Sequence, residues 1–130
     1  MEMMYRVTLF IAGIINLLPS ILAFFPQKID ESYGVALPNA NYELLLRHRA
    51  VLFGIIGAGM ICSAITKKYY EATTAAGLIS MISFILLYFI IGHEINANLK
   101  KVMIIDFGAT IFLLIGVICY ALSTYQHHKL

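Results

Sequence analysis

The residue types able to carry chemistry in this chain are crowded into two stretches. Glu43, Arg47, His48 and Arg49 make up the first, and His93, Glu94, Lys100, Lys101 and Asp106 the second. A histidine beside a carboxylate can move protons near neutral pH. An arginine can hold a carboxylate or phosphate through its planar fork. No nucleophile motif accompanies these residues. His48 with His93 and Glu94 matches no standard metal-ligand spacing, so no metal and no cofactor are expected. Gly92-His93 reproduces only a fragment of the (T/H)xGH nucleotidyltransferase signature, and that motif needs a soluble nucleotide-binding domain.

Composition leaves no room for such a domain. Of the 130 residues, 61% are hydrophobic and only 12% charged, with a mean hydropathy of +0.86. Soluble domains carry roughly 25% charged residues. Uncharged windows run over Val7–Gln27, Ala50–Thr66, Ala72–Gly92 and Phe107–Gln126. Each approaches the ~20 residues that a helix needs to cross the hydrocarbon core of a bilayer. The expected fold is therefore an all-α membrane protein, a four-transmembrane-helix antiparallel bundle forming one domain over 1–130. Its helices are expected at about 7–25, 44–66, 72–92 and 102–125, with an outer loop over 26–42. The net charge of +2, without a basic block, argues against nucleic acid as a partner. The N-terminal apolar run is too long for the core of a cleaved signal peptide, and no small-x-small site follows it. Cys62 and Cys119 each sit inside an uncharged window and are expected to be buried small hydrophobes.

Periodicity positions the polar groups within these helices. Pro19 removes a backbone donor and should bend the end of the first span. Ala12, Asn16, Ser20 and Ala23 form one small and polar stripe, the usual mark of a helix–helix contact in lipid. Gln27–Tyr33 has room for a single helical turn on the membrane surface but is read as loop. On the second span, Ala50, Gly54 and Ala58 permit close approach of a neighbour, with Arg47 above them and Arg49 on the other side. Lys67–Glu71 is a tight turn. Asp106 stands one turn inside the last span, with Thr110 four residues below it.

Antiparallel threading would bring the start of the second span, the end of the third and the start of the fourth to one side. A charge at bilayer depth costs roughly 2.5–3.5 kcal/mol on insertion scales and therefore seeks a partner. Arg47 with Asp106 and Arg49 with Glu94 are the expected pairs, and Glu94 is the rival partner for Arg47. Asn96 and Asn98 add amide donors and acceptors. The same groups admit three uses: a staple between helices, a polar ligand pocket, or acid–base chemistry. The candidate ligand-binding set is Arg47, His48, Arg49, His93, Glu94, Asp106 and Asn16. Arg6, Lys67, Lys68 and Lys129 outweigh Lys28, Lys100 and Lys101 once the two helical arginines are set aside, which favours an N-in, C-in orientation. Tyr5, Tyr69, Tyr70 and Tyr125 are expected to form a belt at the inner interface.

Leu-Leu-Arg-His-Arg-Ala-Val-Leu-Phe-Gly (Leu45–Gly54), preceded by Tyr33-Gly34-Val35 and by Asn16-Leu-Leu-Pro19, resembles small bacterial four-helix membrane proteins of the DoxX-like superfamily. Such sequences often carry the name of a phosphopantetheine adenylyltransferase, which this composition contradicts. The resemblance implies a bacterial inner (cytoplasmic) membrane location, a four-helix bundle, and an accessory role near quinone and sulfur redox chemistry. It transfers no catalytic residue. The expected function is an integral membrane protein that binds a lipid, a quinone-like molecule or another small polar-headed ligand through an outer-side pocket. It would act alone, as a homo-oligomer, or as an accessory subunit of a partner membrane protein. The alternative is a small membrane enzyme using His48 or His93 with Glu94 or Asp106 on a lipid or quinone headgroup.

Overall fold

The computed structural model describes residues 1–92 and 94–127, with His127 defined by its backbone alone. Five α-helices follow in order: α1 Glu2–Leu17, α2 Lys28–Tyr33, α3 Ala40–Thr66, α4 Tyr70–Ile91 and α5 Ala97–His127. A 3-10 turn, Leu18–Ala23, extends α1, and no strand occurs among the described residues. Among the described residues, four helical stretches are long and apolar enough to cross a membrane: Glu2–Ala23, Ala40–Thr66, Tyr70–Ile91 and Ala97–Gln126. These correspond to the four expected spans.

Local chemistry explains the boundaries. The change from α to 3-10 geometry falls beside Pro19, which has no N–H to continue the α ladder. The short helix α2 forms where a loop is expected, because it can bury Ile29 and Tyr33 against the other helices. All four long helices start earlier than hydropathy suggests, and in two of them a polar cap extends the helix beyond its apolar window. The Asn39 side chain accepts from the amides of Asn41 (3.0 Å) and Tyr42 (3.4 Å), starting α3. Asn96 accepts from the Leu99 amide at 2.9 Å and does the same for α5. The turn between α3 and α4 places Lys67 and Tyr69 in left-handed backbone, and Gly92 ends α4 in that region.

The backbones of α1 and α3 approach each other closely. A methyl group on Gly57 would meet the Gly13 oxygen and the Leu17 nitrogen at 2.6 Å, and one on Gly54 would meet Ser20 Cβ at 2.9 Å. Ala12, Asn16 and Ala23 are buried and Ser20 is half-buried, so the expected α1 stripe is an internal face. On α3 the facing stripe runs through Ala50, Gly54 and Gly57. Ala58 is exposed, which corrects the expected Ala50-Gly54-Ala58 series: strict four-residue steps drift off a 3.6-residue helix. Met60 seats its thioether over Gly77 of α4. One core gathers Leu9, Met60, Met81 and Leu113, and a second gathers Leu22, Ile29, Tyr33 and Ala50 beneath α2.

The outer surface carries Ile55, Ile79, Phe89, Ile90 and Ile118, each more than half exposed. Soluble monomers rarely expose apolar area on that scale. Two sequence expectations need correction here. Tyr5 is 4% exposed and belongs to the core, because its ring stacks on Tyr120 and its hydroxyl bonds Thr74, whereas Tyr69 and Tyr125 are exposed. Cys62 is exposed and Cys119 only half-buried, since each falls outside the inward stripe of its helix.

Candidate functional site

Residues two apart on an α-helix point about 200° from each other, and the two arginines of α3 accordingly serve different surroundings. Arg47 Nε donates to the Ala23 carbonyl at 2.8 Å, and its Nη1 donates to Glu43 Oε1 at 3.0 Å. The first contact satisfies a carbonyl left over where the 3-10 turn ends. The second is an i, i+4 ion pair on a partly exposed helix face. Arg47 is thus paired with Glu43, and the expected Arg47–Asp106 bridge does not form. The Arg47 fork is held instead by the 3-10 turn and by its own helix. His48 lies beside it in an outward groove with Phe24, Leu44 and Val51.

Arg49 faces the interior of another recess. Its guanidinium carbon lies 5.0 Å from the ring centroids of both Phe53 and Phe84, so two aromatic faces hold one cation. Phe53 is one turn further along α3, while Phe84 comes from α4. The recess is a cavity of about 650 Å³ with mostly apolar walls. Its polar groups are Arg49, Ser80, Ser83, Tyr88, Glu94 and Asn96. The Ser83 hydroxyl is spent on the Ser80 carbonyl at 2.9 Å. Glu94 stands exposed in left-handed backbone, with φ at 58°. Among the described residues, the ion pairs within 4.0 Å are Arg47–Glu43 and Lys67–Glu2. Arg49 and Glu94 therefore share a cavity without closing the expected bridge.

One wall is the loop after α2, and asparagines pin it in place. Asn96 Nδ2 donates to the carbonyls of Tyr33 (2.8 Å) and Gly34 (3.1 Å), while Asn98 Nδ2 reaches the Glu31 carbonyl at 3.4 Å. Gly34 adopts φ +62°, and a Cβ there would stand 3.2 Å from both amide nitrogens. Only glycine meets both demands without cost. Burial pushes the Tyr33 phenol above its ordinary pKa; the Arg49 charge opposes that rise and Asp106 adds to it. Asp106 is half-buried on α5, and Thr110 bonds its backbone carbonyl at 2.7 Å. No carboxylate hydrogen bond to Asp106 occurs among the described residues.

The expected set therefore divides. Arg49 and Glu94 line this cavity, and Asp106 is not among its lining residues. Arg47 and His48 belong to the outward groove. Asn16 is buried in the α1–α3 seam, where Nδ2 returns to the Ala12 carbonyl at 3.0 Å, which removes it from the pocket. A polar side chain inside an apolar seam can bond back to the carbonyl four residues earlier, which has a second lone pair to offer. His93 lies outside the described residues. Phe53, Phe84 and Tyr33 are the contributors that sequence reasoning missed. The Arg49–Phe53 spacing of one helical turn was a local signal for the first, but Phe84 has none. No family model, curated protein or solved structure matches this chain.

Proposed function

We propose that this chain is a multi-pass binding protein of a bacterial inner membrane, an antiparallel four-helix bundle. Its cavity takes an amphiphile, a lipid or quinone-like molecule, whose polar or anionic head contacts Arg49. One observation carries the reading: Arg49 stands between Phe53 and Phe84 in a cavity of about 650 Å³, with no carboxylate within 4.0 Å among the described residues. A cation pre-positioned by aromatic faces, in an apolar recess, keeps its hydrogen-bond donors for an incoming acceptor. The apolar remainder of the wall suits an alkyl or prenyl tail, and the volume is that of a small-molecule site. DoxX-like kinship and an accessory role beside redox enzymes belong to the same proposal.

The acid–base alternative has less support, because His48 lines the outward groove with Arg47 and not the cavity of Arg49 and Glu94, while His93 lies outside the described residues. The deciding experiment is mass spectrometry of molecules that copurify with the protein in mild detergent. A stoichiometric amphiphile present in the wild type and lost in Arg49→Gln is expected. Recovery of bulk phospholipid alone, identical in both proteins, would overturn the proposal.

A further inference from the structure

A second recess, of about 510 Å³, lies toward the other end of α4, and three tyrosines from three helices line it. Tyr5 and Tyr120 stack with centroids 5.1 Å apart and planes 26° apart. Tyr70 stands across both, at 61° to Tyr5 and 73° to Tyr120, so the rings form a corner. The Tyr5 hydroxyl is engaged by Thr74 at 2.6 Å. Glu71 supplies the carboxylate of the recess. Among the described residues, the lysines and arginine at this end have other contacts. Arg6 donates to the Ala64 carbonyl at 2.7 Å, Lys67 pairs with Glu2 at 3.7 Å, and Lys68 lines a different groove. Among the described residues, Glu71 has no ion-pair partner.

We propose that this recess binds a substituted ammonium group, with Tyr70 and Tyr120 offering ring faces and Glu71 the counter-charge. Aromatic faces attract cations through their quadrupole, and a methylated ammonium, weakly hydrated, loses little on leaving water. An anion would face Glu71, and ring faces favour a weakly hydrated substituted ammonium over a strongly hydrated inorganic cation. The chemistry fits both a free quaternary amine and the choline headgroup of a lipid. It rests on residues separate from the Arg49 cavity, so either site can fail without the other.

The test is calorimetric titration of the full-length protein in maltoside detergent, at constant ionic strength. Choline chloride serves as the free cation, a short-chain phosphatidylcholine as the lipid form, and 3,3-dimethylbutanol as the uncharged isostere of choline. Saturable binding of the free cation or of the choline lipid, and not of the isostere, is expected, and the stronger binder identifies the source. Glu71→Gln should weaken that binding roughly tenfold, while Glu71→Asp retains most of it. Tyr120→Phe, which keeps the ring face, should bind like wild type and Tyr120→Leu should not. Equal affinity for the isostere, absence of saturable binding, or an unchanged affinity in a folded Glu71→Gln protein would overturn the proposal.

Discussion

Arg47 and Ala23 are joined by one hydrogen bond of 2.8 Å, from a guanidinium on α3 to the last carbonyl of the 3-10 turn that follows α1. The contact gives Arg47 a structural task near the point where α1 gives way to the loop. Losing it leaves a partly buried carbonyl unsatisfied. Arg47→Met should therefore lower stability in detergent by about 1–3 kcal/mol, read by thermal or denaturant unfolding. Arg47→Lys should restore only part of the loss, because an ammonium cannot serve Ala23 and Glu43 in the same geometry. Combined with Asp106→Asn, the effects should add within about 0.5 kcal/mol, as expected for residues without a shared contact. A coupling above 1 kcal/mol would restore the Arg47–Asp106 pair.

Arg49 should behave differently. Its contacts are two ring faces and a cavity, so Arg49→Gln should cost less stability than Arg47→Met. It should nevertheless lower retention of the copurifying amphiphile by roughly tenfold or more. Phe84→Leu, which removes one of the two rings, should give a smaller loss in the same mass-spectrometric measurement.

Asn96 caps α5 and clamps the loop after α2 with one side chain. Asn96→Ala removes both functions and should destabilise by about 2–3 kcal/mol. Asn96→Asp keeps the cap acceptor but loses the donor to Tyr33 and Gly34, and should fall between the two. Gly34→Ala should cost about 1–2 kcal/mol from left-handed backbone strain, with added crowding from the two asparagine amides. Thermal unfolding orders the four proteins. A neutral Asn96→Ala would remove the clamp.

The α1–α3 seam gives a sharp contrast between adjacent positions. Gly57→Ala forces a methyl into backbone atoms 2.6 Å away and should cost about 1–3 kcal/mol. Ala58→Leu, one residue on, points outward and should be nearly neutral. Equal effects in unfolding assays would mean that the helices meet along a different face.

Reporter fusions after Tyr70 and after Asn98 test the membrane arrangement. Opposite sides are expected for four spans, with the Tyr70 fusion on the cytoplasmic side. Signals from the same side would eliminate the antiparallel four-span topology.

The four long helices were legible in the residues themselves, because the need to bury about 20 apolar residues per crossing is a local property of composition. So was the divergence of Arg47 and Arg49, since a 100° step per residue fixes their relative direction wherever the helix lies. The break in α geometry beside Pro19 and the inward stripe of Ala12, Asn16 and Ala23 follow from the same local rules. Which groups meet was another matter. Arg47 was expected to seek a carboxylate and instead took the Ala23 carbonyl, an acceptor with no trace in residue identity because every residue carries one. Phe84 sits beside Arg49 only because α4 packs against α3, and Tyr5 enters the core only because Tyr70 and Tyr120 come from two other helices to cover it. Asn96 reads as a loop amide until the chain returns Tyr33 and Gly34 to within 3.1 Å of it. Helix formation is decided by neighbours in sequence, whereas a cavity is defined by neighbours in space, and those depend on how the helices pack.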